Sequence, residues 1–339
     1  MDIRNVILAT ATAISGIPLT AHAVDGTTAY NFLNHTASSH IYGLGGVNVS
    51  LVDDDISTID QNPALLGPEF DGQLAVNYMK YVGEANFAGA RYGFGAGERS
   101  AWSVGIQYFG YGEMKGADIS GNLTGTFSAK DMFLSISYSH DITDRLRGGI
   151  SLKCIYSAYD EYSAFALATD LGINYYDDER DMSLSLVAAN LGGQVKRFNE
   201  SYDRLPIDVR IGWSKMLADV PLRLSVTAWN LTKWHLPYYD SGDGSETSET
   251  KIKDSFASNL FRHLVFAVEY MPSDRFYIGL GYNYKTRTDM ATYQRSFLSG
   301  FSIGAGINVK RFGIGVAMSQ PHTGATTFML NLTTRLFQF

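Results

Sequence analysis

"FLSGFSIGAGINV", residues 297–309, decides the fold. Phe297, Phe301, Ile303, Ala305, Ile307 and Val309 fall on one side of a period-two pattern. Gly300, Ser302, Gly304, Gly306 and Asn308 fall on the other. Successive strand residues point to opposite faces, so this is a strand with one bulky apolar face and one small polar face. The pattern recurs upstream. Phe276, Ile278, Leu280, Tyr282 and Tyr284 alternate with Tyr277, Gly279, Gly281, Asn283 and Lys285, and Ile207, Val209, Ile211 and Trp213 with Asp208, Arg210, Gly212 and Ser214. Trp102–Tyr108, Met132–Tyr138, Phe165–Ile173, Leu264–Tyr270 and Phe328–Leu332 behave alike.

Extended along the chain, the alternation predicts about fourteen strands: 72–82, 85–95, 100–110, 130–140, 144–157, 163–175, 181–191, 206–217, 221–231, 262–271, 274–285, 297–309, 310–319 and 324–338. An even count suits a bacterial outer-membrane barrel. The connections sort by parity. Those at 142–144, 176–181, 217–221, 271–274 and 309–311 are short, whereas 111–129, 192–205, 232–261 and 286–296 are long. Short periplasmic turns opposite long outer loops are a barrel property that a soluble sandwich has no reason to share. Aromatics near strand ends (Tyr108, Phe109, Tyr111, Tyr156, Tyr159, Tyr175, Tyr176 and Tyr284) fit interfacial girdles. No stretch approaches eighteen continuous apolar residues, so no spanning helix is expected. The expected class is all-β: a transmembrane barrel at residues 72–339, multi-pass in the outer membrane, with both termini periplasmic.

Composition agrees. The 339 residues carry a net charge of −7, only 18% charged residues, 34 Gly, 21 Tyr and 19 Phe. With no basic stripe, nucleic acid is not an expected partner. The face opposite the lipid carries Arg91, Arg147, Lys153, Asp170, Asp208, Arg210, Arg223, Glu269 and Lys285. Both signs are present, which predicts a lumen plugged by salt bridges. The only cysteine, Cys154, reads as a small apolar strand residue. Residues 1–23 read as a secretory signal, with Ala21 and Ala23 in the small-x-small cleavage pattern. In the closing "LNLTTRLFQF", Phe337 and Phe339 are out of phase with Phe328, Leu330, Leu332 and Leu336, which predicts a bulge or an exit from the wall.

Motifs for chemistry fail. Counted as an EF-hand from Asp53, position six is Thr58 and position twelve is Ala64, where glycine and a bidentate glutamate are needed. "GFGAGE" and "GAGINV" do not complete a dinucleotide fingerprint, and small strand faces explain their spacing. Ser137, Ser139 and His140 lie together, but adjacent strand residues face opposite sides. No catalytic residue, cofactor or metal ligand is expected.

Ahead of the barrel, residues 24–71 form a plug or hatch segment. Asp55 can cap a short helix through Ile56 and Ile59, and Pro63 would end it by pushing Asn62 out of the helical region. Asp53 and Asp54 are turn and capping groups, and Leu65 and Leu66 would pack under the barrel or inside its mouth. The loop 234–256, with Trp234, Tyr238, Tyr239, Asp240, Asp243 and Glu246, is either a solvated outer loop or a docking surface.

Gly43, Gly45 and Gly46, then Asp53, Asp54 and Asp55, then Asn62, Pro63, Ala64 and Leu65, directly ahead of such a barrel, give a pattern that resembles the PorV/PorQ family of type IX secretion barrels. That family is similar in fold to FadL-type transporters. The resemblance implies a non-enzymatic outer-membrane anchor in an attachment complex. Its implied partners are a PorZ-like surface protein, a PorU-like sortase and a PorV-like barrel, beside the lipid bilayer and lipopolysaccharide. The complex would process secreted proteins bearing C-terminal sorting domains and attach them to the cell surface. The alternative is a FadL-like transporter of hydrophobic compounds.

Overall fold

The computed structural model describes residues 29–117, 123–198, 202–240, 251–273, 275–289, 298–309, 311–322 and 325–336. Its frame is a closed antiparallel barrel of fourteen strands. They are β1 Gln73–Lys80, β2 Asn86–Gly95, β3 Ser100–Ala117, β4 Leu123–Thr143, β5 Leu146–Tyr159, β6 Tyr162–Asp177 and β7 Met182–Lys196. After β8 Asp208–Met216 and β9 Leu222–Ala228, a separate two-stranded ribbon intervenes, β10 Tyr238–Asp240 with β11 Lys251–Lys253. The wall resumes with β12 Leu264–Ser273, β13 Phe276–Asn283, β14 Phe301–Val309, β15 Phe312–His322 and β16 Ala325–Arg335. β12 pairs directly with β9, and β16 pairs with β1 from Arg335–Gln73 to Phe328–Lys80. Closure leaves no unpaired edge in the hydrocarbon.

The two faces separate as the alternation requires. Leu152 is 55% exposed and its neighbour Ser151 only 4%. Outward residues such as Ile106, Leu186, Ile307 and Leu330 form the lipid-facing belt. Cys154 is on that face. No described helix is long and apolar enough to cross a membrane; the strands cross it instead.

Three features depart from the sequence reading. The expected loop at 111–129 is largely ladder, because β3 and β4 run on as a hairpin with a register shift between Gly110 and Glu113. Beyond the lipid neither face must be apolar, so the pairing continues where the alternation stops. Phe109 faces the lumen, 3% exposed, and Tyr111 and Tyr159 bond to the buried Asp131; they are not girdle residues. Finally, β13 stops at Asn283, and a short helix, Tyr284–Asp289, carries Lys285 out of the wall.

The wall begins and ends at the short-turn, periplasmic end. Residues 29–72 fill the lumen. Ala29 lies beside Arg204 at the outer mouth, where its N–H donates to the Arg204 carbonyl at 3.1 Å. Leu336 returns to Gly72 at the opposite end, its N–H bonded to the Gly72 carbonyl at 2.9 Å. The chain therefore threads the whole barrel before it starts to build it. β16 ends at Arg335, and Phe337 and Phe339 lie outside the described residues, as do Ala21 and Ala23.

Candidate functional site

The outer half of the lumen is aromatic. Tyr30, Phe32, Leu33 and Tyr42 of the plug pack with Phe87, Phe109, Phe133 and Ile155 of the wall. His35 stacks on Phe109 at 5.5 Å and meets Tyr81 edge-on at 4.9 Å. Burial pulls the His35 pKa down to about 4, so its ring is neutral in this box. The lumen is thus not lined only by small and charged groups. The plug's own side chains occupy its apolar part.

Below this the plug touches the wall with almost no side chain between. Ser38 caps the short helix Ser39–Gly43. A methyl added to Gly43 would lie 2.6 Å from the Gly304 Cα, so the two backbones are in direct contact. Gly45 (φ +100°) and Gly46 (φ +82°) then turn the chain in a conformation glycine adopts without strain. Further along, Asn48 Nδ2 donates to Ser225 Oγ at 3.1 Å, and Ser214 Oγ donates to the Ser50 carbonyl at 2.6 Å.

The acidic run is divided among separate tasks. Asp53 pairs with His40 Nδ1. The other ring nitrogen, Nε2, meets Glu269 Oε1 of β12 at 2.5 Å. Arg223 of β9 clasps the same carboxylate, donating to Oε2 at 2.7 Å and Oε1 at 2.8 Å, and donates to the Val52 carbonyl at 3.0 Å. The His40 ring lies flat on Tyr277 at 3.5 Å. Burial alone would lower the His40 pKa, but the charges of Asp53 and Glu269 outweigh it and hold it at about 9. His40 is therefore an imidazolium donating to two carboxylates. Asp54 is exposed, and its N–H bonds to Asp53 Oδ1 at 2.8 Å. Asp55 caps the 3₁₀ turn Ile56–Asp60, accepting from the Ser57 N–H at 2.9 Å. Among the described residues no set of three His, Cys, Asp or Glu could hold a metal.

The NPAL stretch is a second seat. Asn62 Oδ1 accepts from the Ala64 N–H at 2.9 Å and caps the turn Pro63–Leu65, while Asn62 Nδ2 donates to the Val49 carbonyl at 2.8 Å. Leu65 and Leu66 are buried with Ile56, Ile59, Phe70, Ala75 and Ala101. Further buried ion pairs flank the plug. Arg91 pairs with Asp60, and Lys153 with Asp170 at 2.6 Å. Arg210 binds Asp208 at 2.8 Å, Gln61 at 2.9 Å and Asn34 at 2.9 Å. At the periplasmic rim Arg147 joins Glu69 at 2.9 Å to Asp141 at 2.5 Å. The expected salt-bridged plugging is what the lumen contains.

Over the outer mouth lies a cap. The helix Phe256–His263 and the helix Tyr284–Asp289 are tied by the fully buried Arg262, which pairs with Asp289 at 2.5 Å and lies 5.0 Å over the Tyr238 ring. Trp234 is exposed, 5.2 Å from both Phe256 and His263. Tyr238, the first residue of β10, is buried, its hydroxyl 3.1 Å from that of Tyr284, so it offers little to a partner. Tyr239 and Asp240 belong to β10. Asp243 and Glu246 lie outside the described residues.

Ser137 bonds to Ser151 and Ser139 donates to the Leu66 carbonyl at 2.7 Å, both inside the barrel. His140 is exposed on the opposite face, 2.8 Å from Ser100. The serines and the histidine do not converge.

No family profile and no curated protein matches this sequence. Solved structures do. The chain is similar to the Ralstonia pickettii toluene transporter TbuX, with 13% identity, a TM-score of 0.55, and 91% of this chain and 100% of that one covered. A Pseudomonas aeruginosa FadL homologue gives 14% identity and a TM-score of 0.52, covering 89% and 99%. The Pseudomonas putida toluene transporter TodX gives 10% and 0.54, covering 89% and 98%. The fold is that of the FadL-like outer-membrane barrels, and at these identities the likeness extends no further than fold.

Proposed function

We propose that this barrel is a non-enzymatic, PorQ-like outer-membrane anchor of a type IX secretion attachment complex. It would hold a PorZ-like surface protein where a PorU-like sortase and a PorV-like barrel process and attach secreted proteins. The observation that supports this most is the occupied lumen. Plug and wall are joined by the buried His40–Glu269 and Arg91–Asp60 ion pairs and by Arg147–Glu69 at the periplasmic rim, which suits a rigid support better than a passage. The plug residues that hold those seats (Gly43, Asp53, Asp55, Asn62 and Pro63) include the ones that carry the family resemblance. The ribbon and helical cap present a shaped outer surface, and loops on a rigid scaffold are where docking is usually built.

A second reading, a transporter of hydrophobic compounds, has its own support. The likeness to two toluene transporters and to a FadL homologue speaks for it and not for the anchor. The aromatic outer lumen would be its binding region once Phe32 and Leu33 withdrew.

Mild-detergent affinity purification of the tagged protein from native outer membranes separates the two. The anchor reading expects a large surface protein in near-equal amount, lost when residues 241–250 are replaced by a short turn. Recovery of the barrel alone with a hydrophobic molecule bound overturns that reading in favour of transport.

A further inference from the structure

The wall is uneven in height. β3 and β4 run for 18 and 21 residues, whereas β9 has 7 and meets β12 only from Leu264–Ala228 to Tyr270–Leu222. A tilted strand gains about 2.4 Å of height per residue, so this pair covers about 17 Å of an apolar band about 25 Å tall. At its periplasmic end the pair is closed tightly, the Met271 N–H bonded to the Pro221 carbonyl at 2.8 Å beside the short turn 217–221. The missing height therefore lies at the outer end.

The helix Phe256–His263 stands at that end and runs directly into Leu264, the first residue of β12. Its amphipathicity is the reverse of what a water-facing cap needs. The polar residues Asn259, Arg262 and His263 are buried. Asn259 accepts from the Leu236 N–H at 3.1 Å and donates to Asp254 at 2.7 Å, Arg262 pairs with Asp289, and His263 Nδ1 lies 2.8 Å from the Trp229 carbonyl. The large apolar residues are the exposed ones: Phe256 at 70%, Phe261 at 50%, and Leu260 between them. Phe256, Leu260 and Leu264 recur at four-residue spacing and so share one side of the helix, with Phe261 beside them. That side continues through Leu264 into Phe266, which belongs to the lipid-facing belt of β12.

We infer that this helix is a membrane-interface helix, with Phe256, Leu260 and Phe261 set among the acyl chains of the outer leaflet, where they complete the lipid-facing belt above β9 and β12. A helix whose polar side is held by protein and whose apolar side is open has the make-up of one lying in the plane of the interface. Trp234, exposed and 5.2 Å from Phe256, adds an amphipathic ring of the kind enriched at that level. A protein partner could cover the same side chains, but it would leave the short β9–β12 wall without its apolar band, and lipid supplies the cover that the wall itself calls for. The cap is then held at the level of the bilayer by its flank. The inference stands apart from the choice between anchor and transporter.

The test is depth measurement by spin labelling of the full-length protein in phosphatidylcholine vesicles. In a Cys154→Ser background, Leu260→Cys and Phe261→Cys are labelled singly with a nitroxide. Ile303→Cys, on the lipid face of β14, and Asp219→Cys, exposed in a periplasmic turn, give the two reference values. The expected ratio of oxygen to nickel-chelate accessibility at both helix positions matches that of Ile303→Cys and exceeds that of Asp219→Cys about fivefold. Each variant is checked for the heat-modifiable migration of a folded barrel. A ratio equal to that of Asp219→Cys places the helix in water and overturns the inference. Low accessibility to both reagents means that protein covers the face, and overturns it too. If the labelled variants fail to fold, Trp234 decides: bromine on the upper acyl chain should quench the fluorescence that wild type has in excess of Trp234→Phe, and unquenched Trp234 emission overturns the inference.

Discussion

Gly149 of β5 lies directly against Pro63 of the plug: a methyl placed on it would sit 2.3 Å from the Pro63 carbonyl carbon. That spacing leaves room for a hydrogen only. The wall was built around the NPAL turn at this point, and the plug cannot shift without losing Leu65 and Leu66 from their cluster.

Gly149→Val should therefore unseat the plug while leaving the outward face of β5 untouched. Overpacking of this kind costs about 1–3 kcal/mol. Proteinase K digestion should cut within residues 56–70 faster in the variant, with the barrel fragment intact. Equal protection of that stretch would show that the close approach is not a seat.

The His40 contact gives a pH dependence whose sign follows from its shift. His40 belongs to the plug, outside the spanning strands, and its pKa is raised from 6.5 to about 9. The stability that its pairing with Asp53 and Glu269 contributes is fully present below pH 6.5 and is lost as the pH rises through about 9. Proteinase K sensitivity of residues 38–56 should rise between pH 8 and 10, and His40→Gln should flatten that rise. A pH-independent cleavage pattern in the native protein would refute the arrangement.

Glu269 is the wall's share of the same cluster, fully buried between Arg223 and His40. Removing one member of a buried, hydrogen-bonded ion group leaves the others uncompensated, at a cost of about 3–5 kcal/mol. Glu269→Ala should lower the urea midpoint of the folded barrel. Glu269→Ala with Arg223→Leu should recover part of the loss, because the second change removes a stranded cation. A double variant weaker than the single one would mean that Arg223 has another partner of equal weight.

The strands were legible because lipid and lumen make opposite demands on neighbouring residues. Ile303, Ile307 and Gly304, Gly306 differ so sharply that no other period fits. The first plug turn was legible too, since Asp55 caps through an atom two residues away, whereas Pro63 opens a second turn, capped by Asn62, rather than simply ending the first. What could not be read were contacts far apart in sequence. His40 meets Asp53 13 positions on and Glu269 229 positions on, and nothing in "SSHIYG" marks it as a cation. The lumenal aromatics were hidden for another reason. Tyr108 faces lipid and Phe109 faces the plug, so two aromatics in sequence erase the alternation that would have separated them. The glycine-rich sequence shows a small strand face but not why it is small; plug backbone against wall, as at Gly43 and Gly304, exists only in the fold.

The threaded plug also fixes what the barrel does electrically. The segment passes from Ala29 beside Arg204 to Gly72 beside Leu336, and ion pairs such as Lys153–Asp170 and Arg210–Asp208 neutralise the charges that an aqueous channel would leave facing water. Wild-type protein in a planar bilayer should show no steady conductance. Gly149→Val and Glu269→Ala act on different seats more than one hundred residues apart in sequence, yet both loosen the same segment. Each should produce brief, flickering openings, and the two together should produce more than either alone, because a plug held at two sites must leave both to clear the lumen. A steady open state in the wild type would mean that water passes the plug, which would favour transport over anchoring. Silence in the double variant would mean that the remaining contacts at Arg91–Asp60 and Arg147–Glu69 suffice to keep the segment in place.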